Sequence, residues 1–513
     1  MSYSSNNSKN QFEHFFIKFL NFFNNSVFIQ YLLLILFTLF TFFLLRGHVL
    51  YRDDARPLLV ATYNHSFFEL FNAMRYDGAP SLHHFILWII GKFIPLTPFV
   101  IKAFHLSIQI LILLVLLLLI KIPNTFKLLI LLQAPFIGHT IYVRRYTLAV
   151  LLILLFAYFY NTDKGNKPWI YIVLFLLSQT CPHGTLISVG LFLFLIINRY
   201  FEKKELFNKN YIIPVIGYLT CLPQIAPPKD FVINGICGIK PFFTDATLDF
   251  LILLLYNIFL NHFLIGAAFF YIIIFISFTT YQKKKIEVIS FVICLLLIFT
   301  EYFMLGALKY PSLDRHNWLL SYTIVSFLII LASPVNKTLT KVTFSNCLLV
   351  ILLVLSFYNF VSLIPKAKRL SSNGQNVALF LEKYYPEKET LAKYELFIDS
   401  IIIYRKNFPE IFSLGRQQYV KYWISNHKSA DFTHFKDLIT ILKYSDLIQD
   451  LLNTPDKLLE KEPIVILASH EYINDLNMPI EEIKIKGKYS LKLLKEFNGA
   501  KYDNYILYQI KKT

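Results

Sequence analysis

Apolar runs of about 18 residues or more recur along this chain, and no other feature constrains its folding as strongly. A helix of that length crosses the hydrocarbon of a bilayer, where each backbone amide must find its partner inside the segment. With 56% hydrophobic residues and 51 Phe among 513, the chain reads as a polytopic helical membrane protein. About eleven spans are expected, near 27–46, 100–120, 126–142, 144–161, 168–181, 183–199, 211–226, 248–279, 286–306, 317–333 and 342–364. The run 83–96 is short and is interrupted by Gly91, Lys92 and Pro95, so it is expected to lie along the interface.

Charge divides the chain in two. Residues 1–365 hold 27 Lys+Arg and 14 Asp+Glu, whereas the shorter 366–513 holds 23 and 19. A boundary near Pro365 follows, with a membrane domain at 1–365 and a water-soluble domain at 366–513. The net charge of +17 sits largely in short loops between apolar runs, which argues for membrane topology and against nucleic acid. With 83–96 interfacial, loops carrying Lys121/Lys127, Lys164/Lys167, Lys203/Lys204, Lys283–Lys285 and Lys337/Lys341 fall on the side of the N-terminal tail, the cytoplasm. The first run has no small-residue cleavage site after it and reads as a retained signal anchor of the cytoplasmic membrane. The C-terminal domain then lies outside. A helix N-cap at Ser371–Gly374 precedes Val377–Tyr384, and β-rich runs at 464–467 and 505–508 surround a helical-looking 489–497, so an α/β domain is expected. The five Cys all lie before Pro365 and form no CxxC pair, which leaves no zinc site or disulfide framework to propose.

Chemistry is sought on the outer face, where most acids of the membrane region fall. Directly after the first span comes Arg52-Asp53-Asp54-Ala55-Arg56. Sugar transfer to a hydroxyl needs a carboxylate to accept the proton and cations to stabilise a leaving phosphate. Asp53 and Asp54, flanked by Arg52 and Arg56, supply both kinds of group. They also read as interfacial charges that end the first helix. Glu69 to Tyr76 has the pattern of an amphipathic interfacial helix, broken by Gly78 and Pro80 before His83 and His84. Cys181-Pro182-His183-Gly184 interrupts an apolar stretch; a hairpin turn explains Pro and Gly, and His183 is surplus to it.

The stretch "YRDDARPLLVA…FFELFNAMRYDGAPSLHHFIL" resembles the first outer loop of GT-C superfamily glycosyltransferases. The likeness is to the bacterial branch related to protein O-mannosyltransferases and aminoarabinose-lipid A transferases. The resemblance implies a GT-C fold with interfacial helices in that loop. It implies Asp53 as general base, with Asp54 in support, and an inverting transfer from a polyprenyl-phosphate sugar. The acceptor would be a glycolipid, polysaccharide or protein outside the membrane. Asp77-Gly78-Ala79-Pro80-Ser81-Leu82-His83-His84 matches the second element of that loop with departures at Ala79, Ser81 and the two His, which bear on acceptor contacts. "HTIYVRRYTLAVLLILLFAYF" resembles a donor-phosphate element, which implies that role for Arg144, Arg145 and Tyr146; the two Arg also fit simple snorkelling at a helix end. "YPSLDRH" resembles a late Arg-containing element, with Arg315 first, His316 second and Lys309 third; Glu301 would pair with one of these cations. "LSSNGQNVALFL" is similar to tails of bacterial members and assigns no role. Relatives differ in metal use, so the resemblance leaves room for a divalent cation at Asp53 and Asp54 without demanding one. Two rivals stand beside this reading. A lipid-linked glycan flippase would place ionisable residues at mid-bilayer in repeated halves. An oligosaccharide ligase or polymerase would carry its Arg and His in a large late outer loop.

Overall fold

The computed structural model describes residues 4–77, 79–164, 166–203, 207–225, 284–307, 314–332, 344–368, 372–393, 398–406, 409–414, 417–421, 444–469, 482–500 and 503–513. These residues form two compact units that do not follow a single cut at Pro365. One gathers Met1–Arg46, His105–Leu222 and the described part of Ile239–Ala367. The other joins Gly47–Phe104 to the described part of Lys368–Thr513.

The described residues of the first unit form helices and the turns that join them. Among the described residues four helices are long and apolar enough to cross a membrane: Val27–Gly47, Pro98–Leu119, Arg145–Asp163 and Pro182–Glu202. Shorter apolar segments occupy Trp169–Ser178, Leu319–Leu331 and Val350–Pro365. The expected span at 248–279 lies outside the described residues. One local expectation is corrected. The segment expected as one span at 126–142 is two helices, Asn124–Leu131 and Ala134–Ile141. Pro135, in the first turn of the second helix, has no N–H and crowds the preceding turn, so the helix restarts there. The Gln133 side chain covers the break by donating to Leu129 O (2.9 Å) and Ser356 Oγ (3.1 Å). The polar N-terminal tail is itself a helix, Ser4–Asn25, with Phe15, Phe19 and Phe22 exposed at helical spacing.

Contacts between helix ends order this unit. The Asn124 amide donates to Phe23 O (2.8 Å) and Ser26 O (3.0 Å), and Thr125 donates to Asn24 Oδ1, so the start of Val27–Gly47 meets the start of Asn124–Leu131. Asn161 donates to Ile329 O (3.3 Å) near the C-terminal ends of Arg145–Asp163 and Asp314–Ala332. These two helices pack along their length, so they run parallel. Lys164 pairs with Glu287 (3.4 Å), and Lys284 donates to Ile330 O (2.7 Å), which brings the start of Lys285–Ala307 to that same end. Lysine here satisfies the carbonyls that a helix C-terminus leaves open.

Among the described residues the second unit is built on a seven-stranded sheet of order β3-β2-β1-β4-β7-β6-β5. Its strands are β1 (Thr390–Lys393), β2 (Ile411–Ser413), β3 (Gln418–Val420), β4 (Ile464–Ser469), β5 (Glu482–Ile485), β6 (Tyr489–Phe497) and β7 (Asn504–Lys512). β1 is parallel to β2 and β4; the remaining pairs are antiparallel. Both faces are covered. Val465, Leu467, Ile506 and Tyr508 face a core with Leu447, Leu451 and Leu459. Ile464, Ile466, Tyr505 and Leu507 alternate onto the other face with Val377, Leu381 and Ile401. Burial on both sides explains why β4 and β7 read as unbroken apolar runs.

The helical expectation for 489–497 is wrong: it is strand β6. A register shift between Leu493 and Lys495 adds one residue, and this turns Phe497 to the face opposite Leu491 and Leu493. The resulting spacing mimics a helical period. Pairing on both sides then overrides the weak helical preference of Leu, Lys and Glu. The helix Gly374–Tyr384 starts at the expected turn, but Asn373 makes no side-chain cap bond; Ser372 Oγ accepts from the Gly374 amide (3.0 Å) instead.

Residues 47–104 contribute three short helices to this unit: Arg52–Tyr63, Phe67–Asp77 and Leu82–Phe93. Each has 12 residues or fewer, about 18 Å at most, too short to cross the roughly 30 Å of hydrocarbon. Ser66 and Glu69 close a reciprocal cap at the second: Glu69 accepts from the amides of His65 (2.7 Å) and Ser66 (3.3 Å) while Ser66 Oγ accepts from the Glu69 amide.

Candidate functional site

The acid motif opens the Arg52–Tyr63 helix. Tyr51 is extended (φ −88°, ψ 173°) and its carbonyl accepts from the amides of Asp54 and Ala55, both at 2.9 Å. Tyr51 brings no side-chain cap. Two adjacent acids in a first helical turn are favoured by the helix dipole, and successive residues point about 100° apart. The two carboxylates therefore have different surroundings. Asp54 is wholly buried and accepts a hydrogen bond from His48 Nε2 at 2.9 Å. The Asp53 side chain keeps 27% of its surface and lies 3.8 Å from Arg52 Nε. Arg56, half-buried, follows one turn later on the same helix.

Burial and the charge of Lys102 hold the His48 ring well below its usual titration range, against the pull of the nearby carboxylate. The ring is then a neutral donor. A buried acid supported by a neutral imidazole, next to an accessible acid, divides the pair into one fixed group and one that solvent or a substrate can reach.

The same helix is tied to the C-terminal half of its unit. The Arg52 amide donates to Asp503 Oδ2 (3.1 Å), and its guanidinium to Asp503 Oδ1 (3.4 Å). Tyr404 Oη accepts from the Leu50 amide at 2.9 Å. Lys421 sits 5.4 Å over the Tyr63 ring at the other end of the helix. Burial and Glu410 push the Tyr63 phenol up to about 12.

Of the acceptor candidates, His83 and His84 are both buried in the first turn of Leu82–Phe93, with ring centroids 5.7 Å apart and His83 5.6 Å from Phe104. Asp77 ends the Phe67–Asp77 helix. Among the described residues no group of three or more His, Cys, Asp or Glu assembles a metal ligand set around Asp53 and Asp54.

The remaining candidates belong to the helical unit. Arg144 is the extended residue before Arg145–Asp163, and Arg145 and Tyr146 open that helix. Both Arg are half-buried, Tyr146 is buried, and the Arg145 guanidinium lies 5.8 Å from the Tyr146 ring centroid. No acid stands in this first turn, so two cations reinforce the positive end of the helix dipole. Such a place favours an anion. The parallel helix Asp314–Ala332 opens at the same end of the unit, which brings the backbone of Arg315 and His316 there. Lys309 lies outside the described residues. Glu301 lies in Lys285–Ala307, the helix that starts at the opposite end of the unit. His183 is buried in the first turn of Pro182–Lys203, and Cys181, just before it, lies within electrostatic reach of Arg145. Gly184 is required by close approach, since a Cβ would meet Leu177 O at 2.9 Å.

Several site neighbours went unnoticed in the sequence. His48 stands six residues before Asp54, and its nearness to the acid pair was the one available signal. Tyr404 and Asp503 lie 354 and 451 residues from their partners and carried none. A buried polar group surrounds the His139 carbonyl, which accepts from Gln109 (2.8 Å) and Thr147 (3.1 Å), with the His105 ring 2.9 Å away. No family model, no curated protein and no solved structure matches this chain.

Proposed function

We propose that the chain is an integral-membrane glycosyltransferase of GT-C type that moves a sugar from a polyprenyl-phosphate carrier to an acceptor hydroxyl, with inversion. Asp53 accepts the hydroxyl proton while the bond from C1 to the phosphate oxygen breaks. Asp54, fixed by His48, holds the negative field of the pair. Arg144, Arg145 and Arg315 neutralise the departing phosphate, with Tyr146 packed beneath. The observation that carries the proposal is the unequal exposure of the two acids, 27% for Asp53 and 0% for Asp54.

The grouping of basic helix ends supports a cytoplasmic side and an outer side. Lys164, Lys284 and the end of Asp314–Ala332 meet at one end of the helical unit, and Arg144, Arg145 and the backbone of Arg315 gather at the other. Beside the four long helices, counting as crossings the three shorter apolar segments, Ile212–Ile225, Lys285–Ala307, the Asn124–Leu131 and Ala134–Ile141 pair as one, and the 248–279 run gives about eleven spans. The Gly47–Phe104 loop and the sheet then lie outside the cytoplasmic membrane, where nucleotide sugars are absent and a lipid-linked donor is the available one. The acceptor is a glycan, lipid or protein.

The test uses the full chain in proteoliposomes, with polyprenyl phosphate carrying a radiolabelled hexose or pentose and a membrane extract as acceptor. Label should pass to the acceptor with release of polyprenyl phosphate. Label that only changes leaflet, still carrier-bound, would make the chain a flippase. Transfer of intact oligosaccharide alone would make it a ligase.

A further inference from the structure

The turn Ser372-Asn373-Gly374, which the sequence marks without assigning it a role, is the seat of a single carboxylate. Asn373 donates its amide to Asp503 O (3.0 Å), and Ser372 forms a parallel bridge with Asp503. The Asn373 side chain donates to Asn498 O (3.1 Å), which fixes the turn against the strands that flank Asp503. Ser372 Oγ accepts from the Gly374 amide at 3.0 Å. Gly374 is packed so closely on Ser400 that a Cβ would stand 2.6 Å from the Ser400 carbonyl carbon. Ser400 is thereby held in place, and its hydroxyl lies 2.6 Å from Tyr505 Oη. The hydroxyls of Ser372 and Ser400 both hydrogen-bond the Asp503 carboxylate, which is wholly buried.

That carboxylate points at the first amide and the guanidinium of Arg52, at the open N-terminus of the helix that carries Asp53 and Asp54. Helix starts leave amides unsatisfied and are normally capped by a residue just before them. Here Tyr51 caps nothing with its side chain, and an acid 451 residues away takes that place.

We propose that Asp503, seated by Ser372, Gly374 and Ser400, is a positioning residue: it caps the Arg52–Tyr63 helix from the C-terminal sheet and fixes the direction of the Asp53 carboxylate. This rests on the glycosyl-transfer reading for its effect on rate, but not for its effect on the helix. The C-terminal domain is then a working part of the acid site and not a separate shield.

Two readouts on the full chain in detergent separate the claims. Hydrogen exchange of Asp503→Asn and Asp503→Ala should speed the Arg52 amide by at least about tenfold, with Tyr508 and Ile510 in β7 unchanged. Unchanged exchange at Arg52, or faster exchange throughout β7, would overturn the positioning role. With polyprenyl phosphate carrying a radiolabelled hexose or pentose, Asp503→Asn should lower kcat about tenfold or more with KM for the donor within about twofold, and Asp503→Glu should restore part of kcat. A raised KM with unchanged kcat would also overturn it. If the wild-type chain transfers no sugar, the functional reading fails while the exchange result still decides the cap.

Discussion

Replacing His48 and Asp54 singly and together by Leu probes the buried half of the acid pair. Asp54 is fully buried and its contact to His48 Nε2 is 2.9 Å, with the imidazole itself buried. His48→Leu removes the ring donor from an enclosed carboxylate, and breaking a buried pair in this way costs about 3 kcal/mol or more. Asp54→Leu strands a neutral ring N–H, at about 1–3 kcal/mol. Together the two losses would sum to roughly 4–8 kcal/mol if independent. Both polar partners are gone in the double variant, and apolar side chains of similar volume fill the space, so it should lose no more than about 2 kcal/mol. Lys102, half-buried, can rehydrate in the absence of Asp54. A global melting temperature is poorly defined for a two-unit membrane protein, so local opening is the proper measure. The amides of Asp54 and Ala55, both bonded to Tyr51 O, report it by native-state hydrogen exchange. Additive losses in the double variant, or a His48→Leu change below about 0.5 kcal/mol, would refute the reasoning.

Three further outcomes follow from the same geometry. His48 is held below its usual value, so the unfolded chain takes up a proton that the folded chain refuses once the pH falls below about 6.5. Local stability of residues 48–56 should therefore fall by about 1.4 kcal/mol between pH 8 and 5.5, and His48→Gln should flatten that slope in exchange measurements. Asp503, raised by burial, acts in the opposite sense, its favourable contribution being lost as pH rises through its folded value. Gly374→Ala should destabilise the sheet unit by about 3 kcal/mol or more, because the new Cβ meets Ser400 backbone that cannot give way; thermolysin digestion rates would show it. An alkaline phosphatase fused after Thr513 should be active in a bacterial host, and an inactive fusion would put the C-terminal domain inside.

What was legible in the sequence is what local chemistry determines. Apolar length marked helices such as Val27–Gly47 and Arg145–Asp163, and Ser371–Gly374 marked the start of the helix Gly374–Tyr384; the Ser66 and Glu69 cap was not read in advance. The same local logic failed where distant partners decide. Leu491 to Phe497 has a helical spacing only because a bulge between two paired strands shifts its faces. The break at Gln133 depends on Pro135, yet the segment reads as one apolar run. Asp53 and Asp54 stood out by composition, whereas the groups that separate them, His48, Tyr404 and Asp503, are brought in by folding. Side chains such as Asp503 carry no pattern that points to a helix 451 residues away.

The most direct measurement is the single-turnover rate of sugar transfer by Asp53→Asn, with donor binding measured in parallel. Asn keeps the shape of the side chain and cannot accept the hydroxyl proton, so the rate should fall by about 10²–10⁴-fold while donor affinity stays within about threefold. An Asp53→Asn chain that transfers sugar at the wild-type rate would contradict Asp53 as the base, and with it the account of the site.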